Sequence, residues 1–255
     1  MKLLRYTTLT GGLLILIAAF GFIFQLPFET SLWPWEDGRY SYLFVGSILA
    51  AVSVAAFWIG WTGEFGALPA GSLNILVIAV TSSIYFFKLA LGDGRSDMLP
   101  YGIVGLLIAI GSGIAFLWSR RIPLGDSLPT PRLVKISFGI FTASLILAGI
   151  ALILQIPIFP WELNPDSSVI FGCIFLGDAF YFLYGLIYPR WHNALGQLLS
   201  FLAYDLVLII PFLLLIKSVQ PEHFINLITY LAVLIYSAGL AVYFLFINPQ
   251  TRFGS

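Results

Sequence analysis

Two aspartates, Asp178 and Asp205, each lie about eleven residues inside a long apolar run, where a carboxylate has no water to solvate it. A charge at the middle of a bilayer costs ~2.5–3.5 kcal/mol on the insertion scale, so acids held there mark ion, proton or ligand positions. Their midpoint in the sequence is the Arg190-Trp191-His192 turn. With a rise of about 1.5 Å per residue, both acids are expected at matching depth on antiparallel neighbours; the sequence leaves open whether they face each other, and a facing pair would titrate as a unit that holds one or two protons. Tyr181 follows Asp178 on the same helical face, and Gln197, Ser200 and Tyr204 form a stripe with Asp205 at its edge. These residues make a candidate ligand or proton site. The competing reading is that each carboxyl bonds to a neighbouring polar group and holds two helices together, worth about 1 kcal/mol or less per contact.

Other chemistries lack their residues. The two histidines, His192 and His223, fall in loops at opposite ends of their helices, so no pair of them ligates a haem or zinc ion, and no metal or cofactor is expected. There is no phosphate-binding glycine loop with lysine, no Gly-x-Ser-x-Gly elbow and no Cys-x-x-Cys. Cys173 is alone in an apolar run and reads as a small hydrophobe. The segment Asp93-Gly94-Arg95-Ser96-Asp97 reads as a solvated turn. Net charge is zero, with no basic run to attract nucleic acid.

The elements that must position the acids follow from hydropathy. The chain is 60% hydrophobic and 9% charged, with mean hydropathy +0.98, which leaves too little polar surface for a water-soluble domain. About 20 apolar residues of helix cross a bilayer core. Eight such spans are expected, at approximately 8–27, 41–61, 70–91, 100–118, 134–156, 167–188, 194–216 and 225–247. The fold class is therefore all-α, a polytopic integral membrane protein whose immediate partner is the lipid bilayer, with further membrane subunits or a second copy as the other partners of such a surface. Placing both termini in the cytoplasm puts Lys2, Arg5, Arg120, Arg121, Arg132, Lys135, Arg190 and Arg252 inside and only Arg39, Lys88, Arg95 and Lys217 outside, as the positive-inside bias requires. A prokaryotic cytoplasmic membrane is the expected location. The seven tryptophans fall near predicted span ends and are expected to form two interfacial belts.

An internal duplication organises the spans. A shift of 126 positions lays Trp33-Pro34-Trp35-Glu36 on Phe159-Pro160-Trp161-Glu162 and Gly46 on Gly172, and a shift of 130 lays Gln25-Leu26-Pro27 on Gln155-Ile156-Pro157. Two parallel four-helix repeats are expected, 1–119 and 134–255, joined by a cytoplasmic linker at 120–133. A first span with a counterpart in mid-chain belongs to the fold and is not a cleaved leader. In the external signature, Pro34, Trp35, Glu36, Pro160, Trp161 and Glu162, proline bounds a span, tryptophan anchors and glutamate stays in water; a shared external ligand or partner site is the alternative. The positions matching Asp178 and Asp205 are Val52 and Ala79, so an active centre built on the acids belongs to the second half. Thr81, Ser82 and Ser83 read as packing residues, and Gly102, Gly105, Gly111 and Gly113 as sites of close helix approach.

The duplicated Trp-Pro-Trp-Glu run and the glycine ten residues beyond each glutamate resemble a group of uncharacterised prokaryotic multi-pass membrane proteins with an external Trp-Pro-Trp segment, which implies no activity. Leu176-Gly177-Asp178-Ala179 and the Gly196–Tyr204 stretch are more faintly similar to the lysoplasmalogenase family, although the chain lacks a histidine on the seventh span. Three functions are consistent with the residues: binding or transport of a small or lipidic ligand, with proton coupling, at the intramembrane polar site; a structural or assembly subunit of a membrane complex; and a lipid-acting membrane hydrolase. The first is favoured because midplane acids are costly.

Overall fold

A computed structural model describes residues 2–126 and 128–253; Ser127 of the predicted linker, and Met1, Gly254 and Ser255 of the predicted repeats, lie outside them. The helices are α1 (Lys2–Ile23), the single turn α2 (Pro27–Thr30), α3 (Arg39–Thr62), α4 (Leu68–Phe87), α5 (Leu99–Ser119), α6 (Arg132–Ile153), α7 (Pro165–Ile187), α8 (Trp191–Leu215) and α9 (Phe224–Val242). All but α2 lie in spans long and apolar enough to cross a bilayer, and no strand occurs among the described residues. The chain is thus an all-helical polytopic membrane protein. Helix is forced by the solvent: hydrocarbon offers backbone groups no partner, so each span must bond to itself.

Local sequence sets the ends. Prolines in the first turns of α4 and α5 occupy positions where a missing N–H costs nothing. Gly63, at φ 80°, takes the left-handed C-cap of α3. The first span begins at Lys2 and ends at Ile23, several residues before its predicted bounds at each end. The cause at the C-terminal end is a Schellman closure. Gln25 turns left-handed at φ 54°, its N–H reaching the Phe22 carbonyl while the Leu26 N–H reaches Gly21. The same closure ends α6: Gln155 has φ 58°, its N–H meets the Leu152 carbonyl, and the Ile156 N–H meets Ala151.

Packing divides the helices into two compact units. One comprises Met1–Glu64, Ile158–Asn164 and Ala194–Ser255; the other comprises Phe65–Pro157 and Pro165–Asn193. These units draw helices from both sequence halves.

In the first unit α1 packs on α3 through glycine. A Cβ on Gly46 would stand 2.7 Å from Ile23 Cγ1 and 3.0 Å from the Ala19 carbonyl. Ser53 donates to the Gly12 carbonyl at 2.9 Å. In the second unit α6 meets α7 in the same manner, a Cβ on Gly172 standing 2.7 Å from the Gly149 carbonyl and 2.8 Å from Ile153 Cγ1. The expected approach of α5 to α4 is present too: Gly102 faces the Phe87 ring and Gly105 faces Ser83. Gly111 and Gly113 differ, with open space at Gly111 and only ordinary contact at Gly113.

Tryptophan placement departs from the belt expectation. Trp61 and Trp118 are exposed, whereas Trp35, Trp161 and Trp191 are buried.

Gly172→Ala is expected to cost about 1–3 kcal/mol by overpacking against backbone. Gly139→Ala, where nothing lies within 4 Å, should gain up to about 1 kcal/mol of helix propensity. Thermal unfolding in detergent, followed by circular dichroism, separates the two; equal midpoints would show that α6 and α7 do not depend on this contact.

Candidate functional site

Asp178 lies on α7 in the second unit, partly exposed, and its nearest polar neighbour is one the sequence reading missed. Asn74 of α4 donates from Nδ2 to Asp178 Oδ1 at 2.8 Å. The approach is made possible by Gly177: a Cβ there would stand 2.3 Å from Ile78 Cγ1 and 2.6 Å from Asn74 Oδ1. A side chain one residue before the acid would therefore displace the amide that meets it. Asn74 is buried, and its Oδ1 has no hydrogen-bond partner among the described residues. The amide thus serves the carboxyl at the expense of its own carbonyl, an arrangement that costs ~1–3 kcal/mol when the acceptor is buried.

Tyr181 and Tyr184, further along α7 toward Ile187, are buried in a cluster with Ala70, with Leu73 and Phe116 packed against them. The Phe116 and Tyr184 rings meet edge to face at 6.3 Å. Toward the other end of the same helix pair, Asp166 accepts from Tyr85 Oη at 2.6 Å and from Arg95 Nη1 at 2.6 Å. The Asp93–Asp97 segment is therefore not simply a solvated turn: its arginine ties the loop to the start of α7. The hydrogen bond to Asp166 raises the Arg95 pKa above the ordinary guanidinium value.

The remaining sequence candidates fall in the first unit. Asp205 is fully buried on α8, and its Oδ2 accepts from Ser237 of α9 at 2.8 Å. Ser237 Oγ also stands 2.8 Å from the Val233 carbonyl and 3.1 Å from that of Leu234. One hydroxyl proton cannot serve three acceptors at once. Asp205 Oδ1 has no hydrogen-bond partner among the described residues. Gln197, Ser200 and Tyr204 are buried on the same helix, and the Tyr204 hydroxyl bonds to that of Tyr230. Asp178 and Asp205 thus each have a hydrogen-bond partner inside their own unit, Asn74 and Ser237.

The Trp-Pro-Trp-Glu signature and its counterpart at 159–162 form a packed corner of the first unit. Trp161 Nε1 donates to Ser41 Oγ at 3.0 Å, and its ring packs on Phe159, Tyr40 and Phe212. Asp37 accepts from Trp33 Nε1 at 2.9 Å, Ser41 Oγ at 3.2 Å and the Asn164 N–H at 3.4 Å, which joins the two signatures. Between them opens a cleft of ≈ 370 Å³ lined by Glu36, Asp37, Gly38, Glu162, Leu163 and Asn164, the same three positions of each copy. Pro34 is partly exposed beside buried Trp35, and Pro160 is buried beside Trp161.

No family model, curated protein or solved structure matches the chain.

Ser237→Ala is expected to lower stability by ~1–3 kcal/mol, since it leaves a buried carboxyl without its partner. Asp205→Asn should cost about 1 kcal/mol or less, because an amide N–H can donate to Ser237 Oγ. Unfolding midpoints in detergent test the order; a larger loss in Asp205→Asn would mean that the carboxyl itself stabilises the helix pair.

Proposed function

We propose that this chain binds, and carries across the membrane, a small or lipidic ligand, with proton coupling, and that Asp178 is the group the ligand engages. The observation that carries the reading is the asymmetry of the Asn74–Asp178 bond. A contact kept only to hold helices together is favourable when both partners are satisfied. Here a buried amide leaves its carbonyl oxygen without a hydrogen-bond partner among the described residues and bonds to the carboxyl of a residue that is itself partly exposed. The function of such an arrangement lies in presenting the acid.

The test is chemical access. A hydrophobic carbodiimide adds across the O–H of a protonated carboxyl, and mass spectrometry of the full chain in liposomes locates the adduct. Labelling at Asp178 is expected, with Asp178→Asn folded and unlabelled at that position. A folded chain that takes no label there would overturn the reading.

The chain is further read as a duplication in a prokaryotic cytoplasmic membrane, with both termini in the cytoplasm. The paired Gln25 and Gln155 closures and the paired Gly46 and Gly172 contacts support the first part. Eight of the twelve basic residues falling on one side supports the second. In a Cys173→Ala background, Ser96→Cys should react with a membrane-impermeant maleimide added to intact cells, and Arg121→Cys only after permeabilisation. The opposite pattern would invert the orientation.

A further inference from the structure

We infer that Arg132 and Lys135, at the start of α6, bind the phosphate of an anionic phospholipid drawn from the surrounding bilayer. The site is separate from Asp178 and does not depend on what that acid engages.

The shift of 130 that lays Gln25 on Gln155 also lays Lys2 on Arg132 and Arg5 on Lys135, so α1 and α6 each open on two cations three residues apart. Within their own units the second cations then differ. Arg5 is engaged at the end of α3: its Nη2 donates to the Trp61 carbonyl at 3.0 Å and to that of Thr62. The shift of 126 lays Thr62 on Tyr188, just past the end of α7. There the carbonyl accepts from Asn193 Nδ2 at 2.9 Å and from the Arg190 N–H at 2.8 Å. The end of α7 is closed by the chain that follows it, and Lys135 has no such task.

Among the described residues neither Arg132 nor Lys135 makes an ion pair or a side-chain hydrogen bond. Asp126, the one acid of the 120–133 linker, accepts from the His192 N–H at 3.2 Å. Like charges one turn apart on a helix repel each other, and an anion held by both removes the repulsion. A phosphodiester brings the charge and the acceptor oxygens for charge-assisted hydrogen bonds from both side chains.

The surface beside the pair selects a lipid over a free phosphate. Ile136 and Ile140 follow Arg132 at four-residue steps and are exposed, as is Leu147 further on, so one stripe of α6 runs from a cation into hydrocarbon. One turn beyond Lys135, a Cβ on Gly139 would meet nothing within 4 Å, whereas Leu9, its counterpart at the shift of 130, lies against Gly60. An acyl chain can lie along that open stretch while its headgroup meets the cations, and basic groups at headgroup level favour anionic lipid.

The experiment titrates the full chain in a neutral detergent with phosphatidylglycerol, with phosphatidylcholine of the same chains, and with inorganic phosphate, and follows bound lipid by native mass spectrometry. Phosphatidylglycerol is expected to bind about tenfold more tightly than phosphatidylcholine, and an equal concentration of inorganic phosphate to leave it in place. Arg132→Gln combined with Lys135→Gln should weaken phosphatidylglycerol about tenfold, while Arg121→Gln, an exposed cation of the linker outside the site, should leave it within about twofold. Gly139→Leu keeps every charge and should weaken it about threefold or more by filling the open stretch, which gives a second reading if the charge variant does not fold. Equal affinity for the two lipids overturns the site, as does an equal loss in Arg121→Gln and the double variant. Displacement by inorganic phosphate overturns the lipid, and an unchanged affinity in Gly139→Leu overturns the acyl-chain contact.

Discussion

In hydrocarbon a backbone amide has no partner except another part of the chain, and every feature of this protein is arranged around that constraint. It makes each span a helix and transfers all specificity to the surfaces between helices. With no hydrophobic gain available for bringing apolar helices together in lipid, close approach must supply the attraction. Glycine permits it at Gly46, Gly172 and Gly177, where the facing atoms leave no room for a methyl group. The first two set helix pairs in their units. The third brings Asn74 to Asp178 and so connects the packing of α4 on α7 with the chemistry of the acid.

The polar side chains within the spans fall into two kinds. Thr81 and Thr142 return their hydroxyls to the carbonyl one turn earlier, which neutralises them without involving a neighbour. Asp178 and Asp205 reach across to another helix. Asp205 does so in complete burial with a serine that has one proton for several acceptors, and Asp178 does so with part of its surface open. Two acids of the same depth in the sequence thus occupy different surroundings.

The eight spans were legible because hydropathy and helix length report the same physics. The ends were less so: Gln25 gives no hint in its type that it will turn left-handed, a conformation that glycine or asparagine would advertise. Both acids were legible as isolated charges in apolar runs. Their partners were not. Asn74 is one amide 104 positions from Asp178, and a single chain gives no reason to choose it over other polar residues in the spans. Ser237 resembles any helix serine that bonds to its own backbone, as it also does here. The burial of Trp35 and Trp161 went unforeseen because a tryptophan near a span end is equally at home in headgroups or in a packed corner.

The interleaving of the two compact units in the chain bears on biosynthesis. The second unit runs from Phe65 to Asn193 with one short interruption, so its helices leave the ribosome almost in succession. The first unit holds α1 and α3 and is completed only from Ala194 onward. Its opening pair, α1 and α3, must therefore wait in the membrane through the insertion of four further spans before α8 and α9 arrive. The Gly46 contact between α1 and α3 gives that early pair a way to associate during the wait. A chain that stops before Ala194 would leave the pair without the rest of its unit, which makes the segment from Ala194 onward the point at which quality control of the nascent protein can distinguish finished from unfinished molecules.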